Sequence, residues 1–155
     1  MSYRKFLILA LVVPGLLFSC GGTTDISGNY KGTITLKDQS KKEHSGQIDI
    51  ILNQRETNLS GSLTFPLPLG TMEIRSGVVK DDAIAFVAGK KGRDRNLMGE
   101  YEIEIRFDGK IDGKELEGNW VWTTSGYRMV GEFPNFSPVP VSETFKGTLL
   151  AIREK

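Results

Sequence analysis

Glu100-Tyr101-Glu102-Ile103-Glu104-Ile105-Arg106-Phe107 is the stretch that decides the fold. Its apolar residues fall on odd positions and its charges on even ones, a period of two that a strand sorts onto two faces and a helix scatters. The segment predicts a β-strand with Tyr101, Ile103, Ile105 and Phe107 turned inward and the three glutamates and Arg106 toward water.

The same alternation extends in both directions along the chain. Leu116, Gly118, Trp120 and Trp122 alternate with Glu115, Glu117, Asn119 and Val121, and Ile48, Ile50 and Leu52 alternate with Gln47, Asp49 and Asn53, interrupted only by Ile51. Weaker runs lie at 28–37, 57–65, 71–79, 82–88, 126–133 and 144–153. Turn residues separate them: Gln54-Arg55-Glu56, Lys80-Asp81-Asp82, Asp108-Gly109 with Asp112-Gly113, and Ser125-Gly126. Pro134 to Glu143, with three prolines, is expected to be irregular. Apart from the N-terminal apolar run, no segment has helical periodicity.

Eighteen of the 155 residues are Gly, above the usual ~7%, and they recur in one pattern. Tyr30-Gly32-Ile34, Leu59-Gly61-Leu63, Leu116-Gly118-Trp120, Met129-Gly131-Phe133 and Phe145-Gly147-Leu149 each place a Gly on the inward face. An inward Gly lets a strand bend and approach its neighbour, so the repeat favours a strongly coiled, closed sheet. Eight or nine short antiparallel strands with short turns then predict an all-β, single up-and-down barrel. A β-sandwich is the rival architecture.

Composition excludes several functions. One Cys permits no internal disulfide and no Cys-rich zinc site, and one His leaves one imidazole for base catalysis or metal ligation. Twenty Lys and Arg against 19 Asp and Glu provide no basic field for nucleic acid. The positions assigned inward, from Tyr30 and Ile34 through Ile48, Ile50, Leu52, Leu63, Phe65, Met72, Ile74, Ile84 and Phe86 to Trp120 and Trp122, hold no carboxylate, His or Lys. Such an interior has nothing to move protons with, so a non-enzymatic protein without cofactor or metal is expected. His44 follows Lys41-Lys42-Glu43 in what is expected to be a charged, solvated loop.

The N-terminus precedes the fold. Arg4 and Lys5 lead into an apolar run from Phe6 to Phe18, short of the roughly 20 residues that span a bilayer as a helix. The run ends in Leu17-Phe18-Ser19-Cys20-Gly21-Gly22, which resembles the lipobox of bacterial lipoproteins. The resemblance implies cleavage before Cys20, acylation of Cys20 and anchorage in the cell envelope. Gly21, where an Asp retains some lipoproteins in the inner membrane, directs the expectation to the outer membrane. The division is then a signal peptide at 1–19, a lipidated Cys and tether at 20–26, and a barrel at 27–155. The alternative is an ordinary signal peptide and a free thiol. Removing 19 of 155 residues leaves 136, and losing Arg4 and Lys5 takes the charge from +1 to −1.

From about residue 27 to 153 the strand order and Gly-x-apolar strands resemble the calycin-like barrels, the group of lipocalins, fatty-acid-binding proteins and avidins. Gly28-Asn29-Tyr30 stands where lipocalins carry Gly-x-Trp, and no lipocalin-type terminal helix is evident. The resemblance implies a small apolar or amphipathic ligand, with Trp120, Trp122, Tyr101 and Phe86 lining the pocket. In a nine-strand meander one end collects loops 38–45, 66–70, 89–97 and 124–126, the other 54–57, 80–82, 108–113 and 134–143. The first set brings Lys90, Lys91, Arg93 and Arg95 to the mouth beside Pro66-Leu67-Pro68-Leu69, a rim suited to an anionic head group. Two alternatives stand beside this: solvated Lys-rich loops, and a filled barrel acting as an envelope interaction module through loops 65–69 and 134–141. A void below about 100 Å³, against the 300–1,000 Å³ of usual ligand sites, selects the filled barrel. Strand one starts near Ile26, so Cys20 and the basic loops should lie at opposite ends.

Overall fold

A computed structural model describes residues 24–37, 42–66, 69–94, 99–130 and 137–155. Eight strands form the domain: β1 (Gly28–Lys37), β2 (Glu43–Arg55), β3 (Asn58–Phe65), β4 (Gly70–Lys80), β5 (Ala83–Asp94), β6 (Gly99–Asp112), β7 (Glu115–Val130) and β8 (Ser137–Arg153). Each pairs antiparallel with the next, and β8 returns to β1, closing the barrel. Among the described residues there is no helix. Full closure leaves no edge along most of the wall.

The alternation in the sequence is the alternation of the wall. Ile103, Ile105 and Phe107 of β6 are buried, as are Ile48, Ile50 and Leu52 of β2, while Glu104 and Arg106 face out. Every described residue buried below a tenth of its surface is apolar or aromatic. Ile26, read as the last residue of the tether, belongs to this core: it is 2% exposed, and its N–H donates to Gln54 Oε1 at 2.9 Å. Its carbonyl accepts the Tyr30 hydroxyl at 2.7 Å. Ile26 thereby stoppers one end of the barrel.

That end is closed tightly. The turns after β2, β4 and β6 have two residues each, and their first residues, Glu56, Asp81 and Gly113, adopt φ of 58°, 57° and 59°. Left-handed backbone at that position is what two-residue hairpin loops require. At the seam between β7, β8 and β1, Gly147 allows a close approach. A Cβ there would stand 1.7 Å from the Thr35 carbonyl oxygen and 2.8 Å from the Trp120 indole nitrogen. The glycine repeat thus has its expected use here; Gly131 lies outside the described residues.

The structure corrects three boundaries. Ser125-Gly126 is no turn: Ser125 pairs with Glu102 and Gly126 with Tyr101, so 115–122 and part of 126–133 are one strand, and the barrel has eight strands. Most of Pro134 to Glu143 is strand, because β8 starts at Ser137; 134–136 lie outside the described residues. Since β7 is continuous, the β7–β8 connection leaves from the mouth end, beside those after β1, β3 and β5. Finally, β5 continues to Asp94 and β2 begins at Glu43, so Lys90, Lys91, Arg93 and His44 are strand residues rather than loop residues. Strand residues alternate in direction, which decides where those cations point.

Candidate functional site

The barrel interior holds the aromatic residues expected to line a pocket, and they pack on one another. Phe86 stacks on Phe107 with ring centroids 4.9 Å apart, and Trp120 meets Trp122 edge-on at 5.9 Å. Trp120 is 2% exposed. Its indole N–H donates to two wall carbonyls, Thr35 at 3.2 Å and Thr148 at 3.1 Å. The polar edge of that indole is therefore engaged by β1 and β8 rather than free for a ligand. The void among Ile34, Ile48, Leu63, Phe107, Trp120 and Leu149 is about 10 Å³, room for about one water molecule at most. Among the described residues this part of the interior is filled.

Tyr101 and Trp122 form the upper layer of the packing, half-buried toward the mouth. Trp122 stands edge-on to Phe65 at 5.5 Å and donates to Thr124 Oγ1 at 2.8 Å. The Tyr101 ring lies over Gly92, where a Cβ would come within 2.6 Å of its hydroxyl. Lys90 shares the inward face with Tyr101 and donates to the Leu69 carbonyl, a polar link between β5 and the β3–β4 turn.

Lys91 and Arg93 point to the outer face of the wall. Arg93 bonds Glu100 at 3.3 Å, and Glu102 lies between Arg75 at 2.7 Å and Lys91 at 3.7 Å. The Arg75 guanidinium beside Glu102, with Lys91 adding to it, holds that carboxyl below the usual carboxylate range. The structure therefore does not gather the predicted cations into one rim. Lys90 faces in, Lys91 and Arg93 face out beside carboxylates, and Arg95 and Lys41 lie outside the described residues, as does Cys20. Lys42 and His44, at the start of β2, are exposed.

What the mouth end does carry is an open trough of about 660 Å³ on the outer surface of β5–β8. Register explains it. Lys91, Glu102, Ser125 and Ser142 form one cross-strand row; Gly92, Tyr101, Gly126 and Val141 form the next. Arg93 with Glu100, and Tyr127 with Pro140, make the third. The outer rows send side chains outward and the middle row sends them in, so the middle row supplies a floor of backbone between two walls. Tyr127 is 56% exposed on one wall. A similar trough of about 750 Å³ lies nearer the closed end, floored by Gly109, Gly118 and Leu149. Sequence patterning assigned Glu100 and Glu102 to the solvated face correctly, but which residues share a row depends on register, which a single strand's pattern does not contain.

The described N-terminal residues sit at the end opposite the trough. Gly28 pairs with Leu52, and Tyr30 with Arg153, while Lys37 at the far end of β1 pairs with Glu43 and Lys146. Arg153 also donates to the Asp25 carbonyl at 3.2 Å. Among the described residues no three His, Cys, Asp or Glu side chains are grouped to hold a metal ion.

No protein-family model matches the chain, and no curated protein does. Among solved structures it is similar to one described as the crystal structure of a rhizavidin–biotin complex, with a TM-score of 0.40 and 16% identity over 81% of this chain and 99% of that one. Biotin is the ligand of that protein.

Proposed function

We propose that this is a non-catalytic binding protein of the bacterial envelope, anchored through lipidated Cys20, that engages its ligand on the outside of the mouth end. The observation that carries the binding half is a contrast of volumes. The interior space offers about 10 Å³ and the outer trough about 660 Å³; the trough, like the one of about 750 Å³ nearer the closed end, falls within the 300–1,000 Å³ of usual ligand sites, and of the two it is the one with an exposed aromatic ring, Tyr127. An apolar tail inside the barrel would have to displace Phe107 or Trp120 from close packing, at a cost of several kcal/mol. The anchoring half is supported by the short apolar run and Leu17-Phe18-Ser19-Cys20. Signal peptide, tether and outer-membrane placement follow from that motif. The interaction-module alternative shares the filled barrel and differs in having a protein partner at the same end.

Two experiments test the two halves. Metabolic labelling with a palmitate analogue should mark the wild-type protein and not Cys20→Ser; equal labelling of both removes the anchor. Titration of the full-length protein in nanodiscs with a panel of apolar, anionic and neutral small molecules should move the amide resonances of Gly92, Gly126 and Val141. Shifts centred on Ile48, Leu63 and Leu149 would place the ligand inside the barrel and refute the proposal.

A further inference from the structure

We infer that the trough on β5–β8 takes a neutral saccharide chain, with Tyr127 as the platform for one sugar ring. This rests on the reading that binding occurs on the outside of the mouth end, and adds the chemical class of the ligand. The first argument is charge. The walls hold two cations, Lys91 and Arg93, and two carboxylates, Glu100 and Glu102, and Arg75 of β4 reaches Glu102 from beside them at 2.7 Å. Arg93 is paired with Glu100, and Glu102 with both Arg75 and Lys91. A cationic ligand finds no unpaired carboxylate there, and an anionic one finds all three cations already engaged by Glu100 and Glu102. The pairs nevertheless keep donor and acceptor positions open to solvent, because a guanidinium carries five donors and a carboxylate about four acceptor sites.

The second argument is the remaining chemistry. Ser125 and Ser142 stand side by side in one row and add two hydroxyls. In the facing row Tyr127 pairs with Pro140, and both are exposed. A ring with an apolar face beside dense, uncharged hydrogen-bonding capacity complements a pyranose, whose C–H face is apolar and whose equatorial hydroxyls donate and accept in its plane. An acyl chain would cover the remaining hydrogen-bonding positions of the charged groups and of the serines without satisfying them. The third argument is shape. The trough is open along its length and floored by backbone at Gly126, so it admits a linear chain passing across the strands rather than a compact molecule enclosed on all sides.

The test is a titration of the full-length protein in nanodiscs with four probes: chitohexaose, cellohexaose, hexagalacturonate and palmitate. The proposal expects at least one neutral hexasaccharide to shift the amides of Ser125, Gly126, Tyr127 and Ser142, with an affinity insensitive to salt. It expects Tyr127→Ala to weaken that binding about tenfold and Tyr127→Phe to retain it. Both variants should melt like the wild type, since the ring is exposed. No shift from either neutral hexasaccharide at millimolar concentration overturns the proposal. So does preferential binding of hexagalacturonate that weakens with salt, or equal binding by Tyr127→Ala. Palmitate shifting these same amides, with the saccharides silent, overturns the saccharide class while leaving the mouth-end reading intact. Shifts centred on Ile48, Leu63 and Leu149 overturn both.

Discussion

At the scale of single residues, Tyr30 ties the stopper to the barrel. Its ring is buried and its hydroxyl donates to the Ile26 carbonyl. Burial pushes its pKa above the ordinary tyrosine value, against a smaller opposing pull from Arg153. A folded-state pKa above the unfolded one means that the neutral phenol stabilises the fold. That contribution is fully present below the unfolded value of about 10 and is lost as pH rises from there through the folded pKa. Stability should therefore fall steeply above roughly pH 10. Tyr30→Phe should cost about 1–2 kcal/mol at neutral pH, because the buried Ile26 carbonyl loses its partner, and should flatten the alkaline fall. Urea unfolding at neutral and alkaline pH checks both; an unchanged alkaline slope in the variant would assign the loss to another group.

At the scale of elements, the upper part of β8 shows how local chemistry and pairing diverge. The Arg153 N–H donates toward β7, to Lys114, and the Glu154 N–H toward β1, to Asn29. The β7–β8 register is unbroken up to Val130 opposite Ser137, so even-numbered residues of β8 face the β1 side throughout. Pairing with β1 ends at Lys146. Beyond it no described strand pairs with that side, and Pro138 and Pro140 occupy two of its positions, where their missing N–H groups take no ladder bond from the sheet. Prolines so placed protect the edge from strand addition. Pro138→Thr with Pro140→Thr should expose two more donors and promote concentration-dependent self-association, seen by sedimentation velocity; sedimentation identical to the wild type at high concentration would contradict this assignment. From the sequence, the same prolines argued against a strand. Likewise Ser125-Gly126 has turn composition, yet its conformation is set by Tyr101 and Glu102 across the ladder. Strands whose alternation is complete, such as Glu100 to Phe107, were legible because one residue pattern fixes both faces. The trough was not, since it needs the register of four strands at once.

At the scale of the whole molecule, closure and filling go together. The inward residues were legible from alternation, but the tight packing between them depends on how Phe86, Phe107 and Trp120 interlock, which composition does not contain. Polarity along the barrel axis follows from topology. Ile26 and Asp25 are held at the closed end by Gln54, Tyr30 and Arg153. On the lipoprotein reading, the segment from Cys20 to Asp25 spans at most about 18 Å. The closed end would then face the anchoring leaflet and the trough would face away, toward soluble or opposing envelope material. The most direct test is a crystal structure of the protein grown with saturating lauric acid. The account predicts Phe86, Phe107 and Trp120 in their packed positions with no acyl density among them. Acyl density between Ile48, Leu63 and Leu149, with Phe107 or Trp120 displaced, would contradict it.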